Sequence, residues 1–194
     1  VVHPSVPAKT LKELIALDKR QPGKLSIGHG GNGTAMHLSA ALLIQMAGAS
    51  LAEVPYKGSG PAALDALAGN VPLAVVDLPA ALQHIKAGKL TAFAVTSAQR
   101  LSQLPEVPTV SEAGLEGYES TGWFGVVAPA GTPDAVVQKM NQAIVQVNAL
   151  PSMKALVLKL GSELPPSLTP AQTKDYLKAQ RELYQVAASR IQPE

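Results

Sequence analysis

The stretch Leu25-Ser26-Ile27-Gly28-His29-Gly30-Gly31-Asn32-Gly33-Thr34-Ala35-Met36-His37-Leu38 decides how this chain folds. Leu25 to Ile27 is a short apolar run that suits a strand. The glycines after it cannot continue that strand, and Met36, Leu38, Ala41, Leu42 and Met46 then recur at helical spacing. A glycine loop between strand and helix leaves the first helical amides unbonded and lets a ligand approach the backbone closely. Such a loop attracts an anion, a carboxylate as readily as a phosphate. The candidate contacts are therefore His29, Gly30, Gly31, Asn32, Gly33 and Thr34. Asn32 and Thr34 bring side-chain donors, and Thr34 also has the chemistry of a helix N-cap.

Outward from this loop the same unit recurs. Upstream, Thr10-Leu11-Lys12-Glu13 is a capping box that opens a helix from about Leu11 to Lys19, and Pro22-Gly23 breaks it. Downstream come a strand from Leu51 to Tyr56, the loop Lys57-Gly58-Ser59-Gly60-Pro61, and a short helix from Leu64 to Ala68 closed by Gly69-Asn70. A buried strand from Val71 to Val76 ends at Asp77, a helix runs from Pro79 through Ala87 to Gly88, and Leu90 to Thr96 reads as one more strand. Strands alternating with helices in this way imply an α/β layer fold with a mostly parallel sheet covered on both faces. Ligands of such sheets sit at the carboxyl ends of the strands, which adds Tyr56, Lys57, Gly58 and Asp77 to the candidate site. Asp77 is read either as an acceptor for a ligand or as a helix cap, and Lys57 either as an anion partner or as a solvated charge.

Leu104-Pro105-Glu106-Val107-Pro108 suits a surface connection, and Thr121 to Ala128 is expected to return as a strand with Trp123 and Phe124 in the core. Beyond it the pattern is helical only. One helix runs from Thr132-Pro133 to about Ala149, one from Pro151 to Gly161, and a long one follows a second capping box at Thr169-Pro170-Ala171-Gln172. The expected organisation is an α/β ligand-binding segment over residues 1–128 and a helical segment over 129–194.

Several function classes lose support on composition and motif. A net charge of +2 with no basic run longer than Lys19-Arg20, and only 4% aromatic residues, argues against a nucleic-acid partner. No apolar run reaches the roughly 20 residues that span a bilayer. Cysteine is absent, and no two histidines stand at a short metal-ligand spacing, so no metal site is expected. His37 reads as a packed or hydrogen-bonded residue rather than a base. There is no nucleophile elbow, and Gly33-Thr34 lacks the Lys of a P-loop. Gly28-x-Gly30-x-x-Gly33 does match the dinucleotide fingerprint, which makes an NAD(P)-dependent oxidoreductase the competing function. The acid that should end the next strand is missing, because Glu53 stands near its start and Tyr56-Lys57 at its end. No cofactor is expected, and a ligand-free interaction module is the third reading.

Val2-His3-Pro4, Pro22-Gly23-Lys24-Leu25, Gly30 to Thr34 with His37-Leu38, and Val54-Pro55-Tyr56-Lys57-Gly58 follow one another in a familiar order. So do Asp77, His84 to Leu90, Leu104 to Val110, Glu112-Ala113-Gly114 and Ala128-Pro129-Ala130-Gly131-Thr132-Pro133. In these motifs the chain resembles, over essentially its whole length, the substrate-binding receptors of tripartite tricarboxylate transporters, the Bug-type periplasmic receptors. The resemblance implies a two-lobed periplasmic binding protein, not an enzyme. It would close over a small carboxylate and hand it to a membrane permease of one large and one small subunit. The glycine loop, the Tyr56-Lys57-Gly58 turn and Asp77 would be the second lobe's contribution to the site. Two positions depart from the family pattern: His29 stands where a small residue is usual, and Ala35 replaces a frequently hydroxylated position. Family members also carry a further N-terminal stretch with an export signal and a first lobe. The chain alone is therefore expected to present half a site, to bind carboxylates weakly, and to self-associate through helices that normally pack on that lobe.

Overall fold

The computed structural model describes residues 1–159, 162, 164 and 166–188. Three parallel strands, β1 (Ser26–His29), β2 (Ala52–Pro55) and β3 (Leu73–Val75), form a sheet in the order β2-β1-β3. Register is set by Ile27, which lies opposite Glu53 on one side and Leu73 on the other. Helix α1 (Leu11–Arg20) precedes the sheet, while α2 (Ala35–Ala47), α3 (Ser59–Ala68) and α4 (Leu78–Lys86) each follow a strand. The α/β reading is borne out, with α3 beginning five residues earlier than the sequence suggests, directly after Gly58.

Alternation along the strands places the core on both faces of the sheet. Ile27 and Leu73 join Leu11, Leu14, Leu42 and Leu43 of α1 and α2, with Val2, Phe93, Val110 and Tyr118 around them. Ala74 faces the other way, with Val71, Leu90 and Ala66 of α3. The side chain of Asp18, 1% exposed, accepts from the Ser50 amide at 2.7 Å and so ties α1 to the turn after α2.

The helix ends follow their local chemistry. Thr10 caps α1 by accepting from the Glu13 amide at 3.2 Å, while Glu13 reaches back to the Lys9 amide at 2.8 Å, one residue earlier than in a standard capping box. Gly48 and Gly69 close α2 and α3 in the left-handed conformation.

Two expected strands do not form. Leu90 to Thr96 spreads its hydrogen bonds over several separate partners, so it carries only isolated bridges. Thr91 pairs with Val2, Val95 with Thr109, and the Thr96 carbonyl accepts from Ser120. Val2 also bridges Leu73 and so joins β3 to Thr91. Thr121 to Ala128 pairs with no strand among the described residues, and Trp123 and Phe124, expected in the core, are 45% and 100% exposed. An apolar run becomes a strand only where a neighbouring edge hydrogen-bonds to it in register.

The chain divides into two compact units, Val1–Gly122 and Trp123–Val186. The second consists of α5 (Asp134–Ala149), α6 (Pro151–Lys159) and the greater part of α7 (Pro170–Ala188). Its second capping box is complete: Thr169 Oγ1 accepts from the Gln172 amide at 3.2 Å, and Gln172 Oε1 accepts from the Thr169 amide at 2.9 Å. Trp123 packs edge-on against Tyr176. Gly161, the expected end of α6, lies outside the described residues.

Candidate functional site

Because β1, β2 and β3 are parallel and each feeds a helix, the starts of α2, α3 and α4 all gather at the carboxyl edge of the sheet. Each start carries unbonded amides and the positive end of a helix dipole, so this edge favours an anion. Hydrogen bonds join the three loops in a row. The Gly58 amide donates to the Gly30 carbonyl at 3.1 Å, linking the first to the second. Ser59 then links the second to the third: its hydroxyl donates to Asp77 Oδ2 at 2.9 Å and accepts from the Asp77 amide at 3.1 Å.

In the first loop Thr34 caps α2 as the sequence suggests, accepting from the His37 amide at 3.3 Å, and its hydroxyl donates to the Gly31 carbonyl at 2.7 Å. Asn32 and Gly33 are exposed, while Gly30, Gly31 and Thr34 are half-buried. His29 is 1% exposed, and its ring stacks on His37 with centroids 4.4 Å apart and planes 9° from parallel. Its Nδ1 accepts from the Gly31 amide at 3.3 Å, and His37 Nδ1 accepts from the Gly33 amide at 3.0 Å. His29 thus supports the loop from beneath. His37 is the hydrogen-bonded packing residue expected of it. Two of the loop's amides are already occupied by these rings, which turns attention to the first-turn amides of Ala35 and Met36 for any anion.

In the second loop the Tyr56 hydroxyl turns away to donate to Asp65 Oδ2 at 2.8 Å; burial, together with this bond and the Asp65 charge, pushes its pKa up to about 12. Tyr56 meets the glycine loop through its carbonyl and ring edge rather than its hydroxyl. Lys57 is exposed and supplies the positive side chain of this edge. Asp77 stands before α4 without making a side-chain cap; its carboxylate is turned to Ser59 instead. Ser59 is a member of the site that the sequence reading passed over. Its signal was a hydroxyl residue placed directly after Gly58 at the start of a helix.

His29, His37 and Glu53 bring potential metal-ligating atoms within 4.8 Å of one another, with His37 Nε2 3.5 Å from Glu53 Oε1. The donor set does not suit a cation. Both Nδ1 atoms accept from backbone amides, so the protons of the neutral rings sit on Nε2. A metal at Nε2 would have to displace that proton and break a loop hydrogen bond. Burial lowers the pKa of His29, and the nearby His37 charge adds to the effect. Burial raises that of Glu53, opposed by His37. Glu53 is thus turned toward His37, where a dinucleotide site would need an acid at the strand's end.

Comparison with known proteins places these features in context. The family model described as tripartite tricarboxylate transporter family receptor matches residues 1–182. A protein from the tcbD-tcbE intergenic region of Pseudomonas sp. strain P51 is 39% identical over 178 residues, covering 91% of this chain and 53% of the relative. Among solved structures, R. palustris Rpa4515 with adipate superposes with a TM-score of 0.86 at 33% identity, covering 97% of this chain and 62% of that one. MatC from Rhodopseudomonas palustris with bound malate gives a TM-score of 0.77 at 29% identity, covering 97% and 63%. The chain spans about half the length of the curated relatives it matches.

Proposed function

The chain belongs to the tripartite tricarboxylate transporter receptor family, and from that premise we propose that its α/β unit is one wall of a binding site for small dicarboxylates. The family is one of periplasmic substrate-binding receptors and not of enzymes. The observation that carries the proposal is the row of three hydrogen-bonded loops at the carboxyl edge, where three helix starts meet beside Lys57. Gly30 to Thr34 and the amides that open α2 take one carboxylate. Lys57 and the Gly58 turn add charge and backbone contact, and Asp77, held by Ser59, receives a hydroxyl or water at the ligand's far side. Adipate and malate, the ligands of two structural relatives, are the natural probes.

In the whole receptor this wall, on the second lobe, faces the N-terminal first lobe, works in the periplasm, and delivers its ligand to a permease of one large and one small membrane subunit. Residues 129–194 are read as the helices that pack on that first lobe, a reading supported by α5, which buries no residue. A single wall supplies only part of a ligand's contacts, so the isolated chain binds weakly.

Amide spectra of the labelled chain during addition of adipate or malate test the reading. Saturable shifts confined to residues 30–36, 57–59 and 77 are expected. Shifts scattered over the surface, or none at these amides, would overturn it. Saturable binding of a nicotinamide cofactor at the same loop would favour the oxidoreductase instead.

A further inference from the structure

Beneath the glycine loop lies an arrangement that anion binding by itself does not require. His29 ends β1, His37 stands in the first turn of α2, and their stacked rings are 1% and 5% exposed. Each ring holds one glycine of the loop through Nδ1, His29 taking the Gly31 amide and His37 the Gly33 amide. An imidazole accepts a hydrogen bond only through an unprotonated nitrogen, so both bonds require both rings to be neutral. Among the described residues, the titratable groups facing His29 are His37 and Glu53, the three bringing side-chain N or O atoms within 4.8 Å of one another. Those facing His37 are His29 and, from β2, Glu53, whose Oε1 lies 3.5 Å from Nε2.

We propose that the His29–His37 pair is a proton-sensitive positioning device for the ligand loop. The neutral rings hold Gly31 and Gly33 in place, and a proton arriving on either Nδ1 releases that ring's glycine and loosens the loop. Protonation places an N–H where another N–H already points, so attraction becomes donor–donor repulsion and a buried acceptor is lost. The second ring, stacked 4.4 Å away, then faces a cation, which opposes protonation of both. Glu53 Oε1 lies 3.5 Å from Nε2, on the other side of the His37 ring, and does nothing to restore the broken bond at Nδ1. Burial holds the His29 pKa below its ordinary value, so the neutral, loop-holding form of that ring prevails near neutral pH. The predicted fall in carboxylate affinity on acidification rests on the receptor reading above; the effect on the loop does not.

Spectra of the ligand-free labelled chain from about pH 7.5 to about pH 5.5, across the histidine range, make the first test. Imidazole nitrogen signals are expected to report Nε2–H rings at the upper pH, and the Gly31 or Gly33 amide should move with the same midpoint as ring protonation. The proposal is overturned by an Nδ1–H ring at the upper pH, by ring protonation that leaves both amides unmoved, or by rings that stay neutral until the fold is lost. The double variant His29→Asn/His37→Asn places an Asn oxygen near each Nδ1 position, able to accept but not to titrate. Its glycine amides should stay fixed over the same range, and movement as in the unsubstituted chain would count against the device. Should the variant not fold, the unsubstituted spectra decide. With adipate as probe, affinity is expected to fall by up to about tenfold per pH unit below the midpoint, beyond the part that adipate's own protonation explains in the double variant. Equal pH dependence in both proteins would overturn the link to binding. Absence of adipate binding at every pH would overturn the receptor reading and leave the ligand-free spectra to judge the device.

Discussion

Gly31 meets two demands that only glycine satisfies: its φ is +118°, and a Cβ there would lie 2.9 Å from the Tyr56 carbonyl oxygen. Gly31→Ala should therefore cost about 1–3 kcal/mol in urea unfolding. Gly33→Ala, at φ +74° with open space around it, should cost about 1 kcal/mol. Equal losses at the two positions would show that the close approach to Tyr56 is unimportant. His29 gives a pH prediction with a definite sign. Its folded pKa is lowered, chiefly by burial, so the unfolded chain takes up the proton more readily than the folded one. The stability this group contributes is complete above the ordinary histidine value of about 6.5 and declines as pH falls through the lowered folded value. Glu53, raised by burial, acts in the opposite sense, its contribution being lost as pH rises through its folded value. The thermal midpoint should accordingly drop between about pH 7 and about pH 5, with a smaller drop in His29→Asn; parallel curves would contradict this assignment. The Thr34 cap was legible in the sequence because its partner, the His37 amide, is three residues away. The place of His29 was not, since a histidine among glycines looks like a ligand contact until its stacking partner is known.

At the scale of elements, the strands and helices around the glycine loop were legible because their signals are local. Period, cap and glycine stop all lie within a few residues of the element they specify. The failures at Leu90 to Thr96 and Thr121 to Ala128 share one cause: a strand needs a partner edge, and apolar composition does not reveal whether one is free. Segment 118–120 shows what holds such a stretch instead. The Tyr118 hydroxyl donates to the Ser39 carbonyl at 2.9 Å, and the Ser39 and Ser120 hydroxyls meet at 2.6 Å, all buried against α2. Tyr118→Phe keeps the ring and removes the hydrogen bond to the Ser39 carbonyl, and should lower stability by about 1 kcal/mol in urea unfolding. A change within error would mean that water replaces the lost partner.

For the whole molecule, the helical unit carries the clearest expectation. Val136, Met140 and Val147 recur at helical spacing on α5 and are 49%, 51% and 41% exposed, with Leu156 and Leu158 of α6 each about half exposed. Contiguous apolar surface of this kind promotes association. Light scattering should find a mass that rises with concentration, and Met140→Lys should reduce the rise. A constant monomer mass would mean that these side chains are satisfied in some other way. The order of residues alone carries the succession of strand, glycine loop and helix, and with it the carboxyl edge where the candidate residues gather. Those decisions are written in short-range spacing and in glycines whose backbone angles other residues avoid. What each candidate does there emerges only from packing. His29 lies buried on His37, the Tyr56 hydroxyl turns to Asp65, and Ser59 ties its own loop to Asp77. These pairings join residues eight to eighteen positions apart. Packing of different elements sets the distance between such partners, and no local pattern encodes it.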